Sequence, residues 1–407
     1  MDALIWTPQQ AAALDSVGRW LRDPHSPQVY RLFGFAGTGK TTLAKYLAEQ
    51  ETGTVRFAAF TGKAASVLRE RGCDNATTLH ALLYHPGARD PVAVQRAKEL
   101  LEHTPAHHTD YAERMADFVA ARAAYQRPRF THNPDSVLKQ ARLLVLDEVS
   151  MVGKALANDV LAVTRKVLVL GDPGQLPPIE GTGYFTEGKP DSMLTDITRQ
   201  AADSPIIRWA TMVREGRSIP AGALDGTARK MSKKMVDDQW LTTHAGQLVC
   251  GRNDSRAKLN RRIRHHLGYG DRLPQQGDVL VCLRNNHQLG LLNGVLCTAH
   301  RDAVPMDEEA LSLTIRYEGE LRHDLLVDSA PFTSARKDPL AFAPASVPLC
   351  QFDYGYAITV HKAQGSQWSG VTIWDDGFGK WEPKLRQQWL YTGITRASQR
   401  LTILAGA

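Results

Sequence analysis

Gly34-Phe-Ala-Gly-Thr-Gly39-Lys40-Thr41 follows a short apolar run, Val29–Phe33, and precedes a stretch with helical spacing, Thr41–Leu47. The pattern G-x-x-x-x-G-K-[ST] carries weight only in that setting, between a strand and a helix. There the glycines let backbone N–H groups and the start of the helix surround phosphates. Gly37, Thr38, Gly39, Lys40, Thr41 and Thr42 are the expected nucleotide contacts, with Lys40 reaching the β- and γ-phosphates of ATP and Thr41 ligating Mg²⁺.

Outward from this loop the first half keeps one rhythm. Val55–Phe60 ends at Thr61-Gly62-Lys63, Arg142–Leu146 at Asp147-Glu148, and Val167–Leu170 at Gly171-Asp172. Strands that alternate with helices and close in polar residues predict an α/β fold with a parallel sheet, its site at the strand C-terminal ends. Asp147 is placed to hold Mg²⁺ and Glu148 to orient the attacking water; two acids capping a helix is the plainer alternative. Gln175, in Gly171–Pro178, offers an amide to the γ-phosphate, although the composition also suits a proline-rich turn. Thr7-Pro-Gln-Gln10 opens a helix with Leu14, Val17 and Leu21 on one face. Gln10 closes a capping box there; recognition of adenine is its other reading, and both stand.

Residues 86–135, rich in Ala, Arg, His and Glu, interrupt the rhythm and predict a mostly helical insertion entered and left near Tyr84 and Phe130. In the second half Gln247–Cys250, Asp278–Leu283, Tyr356–Val360, Val371–Trp374 and Leu401–Leu404 read as strands of a second α/β core. Short alternating runs over 284–352, punctuated by Asn293-Gly294 and Glu318-Gly319, predict a small all-β insertion.

Three polar segments point to nucleic acid. Thr359-Val-His361-Lys362-Ala-Gln-Gly365-Ser-Gln367 follows an apolar strand end and carries a cation, an imidazole, a hydroxyl and amides, which suit phosphates of nucleotide or nucleic acid. Thr61-Gly-Lys63 and Thr77-Thr78-Leu-His80 would face a nucleic acid in the same way, with a helix cap or a core histidine as the structural alternative. Arg199 and Arg396 lie where a far core could supply cations to the γ-phosphate, a contribution worth roughly 10³–10⁵ in rate in related chemistry. The net charge of +6 permits an anionic partner. Basic clusters at Arg229–Lys234 and Lys258–Arg264 read equally as solvated helix faces or phosphate contacts.

No apolar run is long enough to span a membrane. The five cysteines are scattered, so neither a zinc site nor a disulfide frame is expected. Met1-Asp2-Ala3 does not begin a secretory pattern, and a cytoplasmic setting is the expectation.

Together the phosphate loop, Thr61–Lys63, Thr77–His80, Asp147-Glu-Val-Ser-Met151, Gly171–Pro178, Leu194–Gln200, Thr359–Gln367 and Tyr391–Ala397 resemble, in order, superfamily 1 helicases of the 5′-to-3′ branch. The compact RecD-like and Dda-like members are the most similar. The resemblance implies two RecA-like domains (1–84 with 133–190, and 191–283 with 353–407), a pin-bearing insertion at 85–132 and an SH3-like insertion at 284–352. It implies ATP hydrolysis with Mg²⁺ coupled to 5′-to-3′ movement on single-stranded DNA. Gln10, Lys40, Thr41, Asp147, Glu148, Gln175, Arg199, Gly365 and Arg396 would serve ATP. Thr61, Lys63, Thr78, His80, Thr359, His361 and Lys362 would touch DNA. Single-stranded and forked or tailed duplex DNA are the expected partners of a free-standing monomer acting in replication, repair or recombination. A translocase that displaces DNA-bound proteins with little unwinding, or an RNA-directed enzyme, would use the same motor.

Overall fold

The computed structural model describes residues 5–86, 91–105, 107–126, 130–177, 183–198, 203–286, 289–306, 310–333, 349–377 and 381–406. The chain forms two compact units, one of Met1–Leu83, Asp135–Gly270 and Tyr356–Ala407, the other of Tyr84–Pro134 and Asp271–Gly355.

Two six-stranded sheets build the first unit. One runs Thr77–Thr78, Val55–Ala59, Leu143–Asp147, Val167–Gly171, Val29–Gly34, Ser192–Leu194, with every pair parallel. Its central strands are apolar almost throughout because helices cover both faces. Val17, Leu43 and Leu68 of three helices join Leu32, Phe57, Val145 and Leu168 in one core. The register places the site. Phe33 pairs with Gly171 and Ala59 with Asp147, so the phosphate loop and both aspartate-bearing turns leave the sheet along one edge.

The other sheet runs Ala357–Thr359, Gln247–Cys250, Trp368–Trp374, Ala397–Ala405, Ala228–Ser232, Gly222–Leu224. All its pairs are parallel except the last. In the second unit Tyr84–Pro86 pairs antiparallel with Phe130–His132. Between them the helices Pro91–Glu102 and Tyr111–Gln126 pack through Val94, Leu101, Phe118 and Tyr125. Residues 279–354 supply an antiparallel sheet. Its longest hairpin turns at Glu318 (φ 51°) and Gly319 (φ 81°), the two positive φ values that a tight primed turn requires.

Three sequence expectations are corrected. Ser192–Leu194, assigned to the second core, is an edge strand of the first sheet; three residues carry no readable period. Val279–Cys282 and Phe352–Tyr354 pair with each other antiparallel rather than joining the second parallel sheet. A short apolar run reads alike in either setting. The basic cluster Arg229–Lys234 begins in a strand, not on a helix face. Lys230 Nζ donates to Ile219 O, Lys233 Nζ to Asp375 O, and Arg229 lies over the Trp240 ring. In the second cluster Arg262 pairs with Asp238 and Arg264 donates to Gly270 O. These cations serve the fold. Among the described residues no helix is long and apolar enough to cross a membrane.

Asp376, just beyond the Trp368–Trp374 strand, accepts from Gly251 N–H (2.7 Å), Arg252 N–H (3.0 Å) and Ser255 Oγ. It thereby caps the Asn253–His266 helix, whose N-cap residue, Arg252, makes no side-chain cap bond. Asp376→Ala is expected to lower stability by about 1–2 kcal/mol. A urea melt reads the loss, and an unchanged midpoint would show the cap to be dispensable.

Candidate nucleotide and nucleic-acid site

A cavity of about 370 Å³ opens where the two parallel sheets face each other, lined by the phosphate loop, Asp147, Glu148, Asp172, Gln175 and Arg396 among others. The loop is built as its sequence demands. Gly37 and Gly39 adopt φ 80° and 78°, conformations that favour glycine. Gly39 caps the Lys40–Gln50 helix without a side-chain bond, leaving the helix start open. Lys40 Nζ donates to the carbonyls of Gly34 (2.7 Å) and Phe35 (3.1 Å). Thr41 Oγ1 donates to Asp147 Oδ2 at 3.0 Å, so the two expected Mg²⁺ ligands already touch.

The electrostatics are strained. Burial, then the adjacent Glu148 charge, hold the Asp147 carboxyl above the ordinary carboxylate range against the pull of Lys40. Burial likewise raises Asp172, again opposed first by Lys40. Glu148 takes a left-handed backbone (φ 54°), a costly state for a non-glycine residue and one common at functional sites. The Gln175 side-chain oxygen is buried with no hydrogen-bond partner among the described residues. A water molecule would satisfy it, which suits an amide that orients the attacking water.

Arg396 is 5% exposed. Its guanidinium donates to Thr392 O (3.1 Å), Ser366 O (3.2 Å) and Thr395 Oγ1 (3.1 Å), all neutral oxygens. A buried guanidinium with such partners favours an incoming anion. The open helix start, the touching Thr41–Asp147 pair, the partnerless Gln175 oxygen and this arginine together fit a nucleotide phosphate chain with a divalent cation.

An AAA domain family matches residues 7–232, and a UvrD-like helicase C-terminal domain matches residues 354–404. The chain belongs to the AAA domain family. The ATP-dependent RecD2 DNA helicase of Deinococcus radiodurans is 26% identical over 425 residues, covering 96% of this chain and 48% of that protein. The chain thus spans about half the length of this curated relative. Two solved structures share the fold over 99% of this chain and 93% of theirs. One shows two coordinating Pif1 helicases at forked duplex DNA (18% identity, TM-score 0.54), the other Bacteroides Pif1 with ADP-AlF3 and single-stranded DNA (17%, 0.53).

The remaining expected residues fall into place unevenly. Gln10 (4% exposed) spends its amide within the motor: Oε1 accepts from Thr7 N–H, and Nε2 donates to Thr38 O at 2.9 Å. It braces the phosphate loop and does not line the cavity. Gly365 (φ 73°) lines a smaller cavity of about 90 Å³ beside Glu148 and Arg396. A Cβ there would lie 2.8 Å from Thr61 Oγ1, so glycine lets the second sheet's loop close on the first sheet's. That approach brings Thr61 and Lys63 next to the segment bearing His361 and Lys362. Lys362 is exposed, and burial depresses the pKa of His361, so its imidazole is neutral at pH 7. His80 meets Phe60 edge-on at 5.9 Å. Three hydroxyls are spent as helix caps: Thr61 accepts from Ala64 N–H, Thr78 from Ala81 N–H and Thr359 from Lys362 N–H. Thr78 is buried. Arg199 lies outside the described residues; its neighbour Thr198 donates its N–H to Gly37 O at 3.0 Å.

Sequence reasoning gave no role to Asp172, Arg71 or Phe35, all of which line the cavity. Asp172 stood in a quoted motif and was legible as a strand-end acid. Arg71, beyond the Gly62–Glu70 helix, gave no signal.

Asp147→Asn is expected to abolish ATP turnover while leaving the melting temperature at neutral pH equal or higher. A raised carboxylate pKa means that ionisation costs folding free energy above the unfolded pKa, and the amide removes that cost. Thermal melts at pH 7 check it, and a fall in melting temperature would contradict it.

Proposed function

We propose that the chain is an ATP-dependent DNA helicase that moves 5′ to 3′ on single-stranded DNA and separates duplex, working as a single chain. The observation that carries this reading is the meeting of Lys40, Thr41–Asp147, Glu148 and Gln175 from the first sheet with Arg396 from the second in one cavity. RecD2, named as a DNA helicase, and Pif1, seen with forked and single-stranded DNA, support the substrate class.

ATP with Mg²⁺ would supply the free energy of phosphoanhydride hydrolysis. The chain's own residues do the rest. Lys40 exchanges the Gly34 and Phe35 carbonyls for phosphate oxygens. Thr41 and Asp147 would hold the cation, Glu148 and Gln175 would orient the water, and Glu148 would take its proton. Arg396 neutralises charge from the far side, which ties hydrolysis to closure between the sheets. His361 and Lys362, beside Thr61 and Lys63, would grip the DNA backbone, the grip shifting as the cleft closes. The two parallel sheets act as the RecA-like halves and the antiparallel sheet as the SH3-like insertion. The Tyr84–Phe130–His132 aromatic group, with ring centroids 5.9 and 5.3 Å from Tyr84 and with Phe130 44% exposed, would serve the pin at the fork.

Lys40→Ala is expected to abolish ATP turnover while single-stranded DNA binding survives; full turnover would remove the assignment. Strand separation on 5′-tailed but not 3′-tailed duplex tests direction, and movement without separation would favour a translocase that displaces bound proteins.

Lys362→Ala is expected to flatten the slope of log affinity for single-stranded DNA against log salt by about 0.7, one phosphate's worth. His361→Ala weakens binding with the slope unchanged, because its imidazole is neutral. Titrations at several salt concentrations separate the two.

A further inference from the structure

Tyr391 lies on the Pro383–Ile394 helix of the second sheet, yet its hydroxyl reaches the first sheet's phosphate loop. The hydroxyl accepts from Ala36 N–H at 2.8 Å and donates to Asp172 Oδ2 at 2.8 Å. The other carboxylate oxygen, Oδ1, accepts from Gly174 N–H at 2.9 Å. The ring is 2% exposed and presses on Gly174, where an added Cβ would sit 2.9 Å from it. Burial, then the Asp172 charge, push the phenol well above its ordinary pKa, so it stays a neutral hydroxyl.

The same turn is held from the second sheet at its far end. Leu176 N–H donates to Thr392 Oγ1 (2.9 Å), and Gln364 Nε2 donates to Leu176 O (3.0 Å). Gln175, whose amide faces the cavity, therefore sits in a turn pinned at both ends by the second sheet. One of those pins also grips the phosphate loop.

We propose that Tyr391 is a positioning residue that couples the second sheet, where DNA would be gripped, to the phosphate loop and the Gln175 turn through its paired bonds to Ala36 and Asp172. The proposal rests on the helicase reading. Backbone N–H groups of such a loop are what phosphates take. Tyr391 holds one of them and the neighbouring turn together, so a shift of its helix moves both.

Tyr391→Phe removes one oxygen and keeps the ring. The factor by which single-stranded DNA stimulates kcat is expected to fall roughly tenfold, the value of one or two buried hydrogen bonds, with KM for ATP changed by less than about twofold. A purely structural tyrosine would instead lower the melting temperature and leave the factor intact, which overturns the proposal. Asp172→Asn, alone and with Tyr391→Phe, is the second arm. If the tyrosine acts through Asp172, the double variant loses no more stimulation than the more affected single one, and additive losses overturn that route. Should Tyr391→Phe fail to fold, Asp172→Asn carries the same readout, and unchanged stimulation overturns the coupling. A wild-type chain that DNA does not stimulate overturns the helicase reading itself; a stimulated wild type with an equally stimulated Tyr391→Phe overturns only the coupling.

Discussion

Lys40 stands among more negative charge than it can balance. Asp147, Glu148 and Asp172 crowd the same end of the first parallel sheet, and Lys40 is the principal cation stabilising the ionised forms of both aspartates. Burial still outweighs it, so both carboxyls stay above their ordinary range. The crowding follows from strand register. Ala59 opposite Asp147 and Phe33 opposite Gly171 leave the chain no choice but to bring its acidic turns to the phosphate loop. A divalent cation accompanied by phosphates relieves such a site on both counts, supplying charge to the carboxylates and a partner to the ammonium. The left-handed Glu148 and the buried, neutrally bonded Arg396 carry their own costs at the same place, as functional sites commonly do.

The residues legible in sequence were those whose role is set within a strand, a turn and the first turn of a helix. Lys40, Thr41, Asp147 and Glu148 needed only an apolar lead-in and a helix to follow, and all four line the cavity. Roles set by distant partners were not legible. Ala36 and Tyr391 are 355 residues apart, and no local pattern pairs them. Ser192–Leu194 is too short to show a period, and no local pattern shows that Lys230, in a basic cluster that reads as a helix face or as phosphate contacts, stands in a strand. Thr78 and Gln10 show a different limit. Each has a residue type suited to a ligand and to a cap, and the structure shows the cap bond.

The turn from Asp172 to Leu176 is where these levels meet. On one side it carries the Gln175 amide, whose oxygen has no partner among the described residues. On the other it hangs from Tyr391, Thr392 and Gln364, residues that flank Lys362 and Arg396 in the chain. A turn so suspended cannot follow the first sheet alone. A shift of the second sheet would carry the Gln175 turn with it, and the closure proposed above, which brings Arg396 inward, would do the same. The arginine proposed to stabilise charge and the glutamine proposed to orient water would therefore be set by one motion. That is the arrangement a motor needs if hydrolysis is to proceed only when its nucleic-acid grip is in the right state.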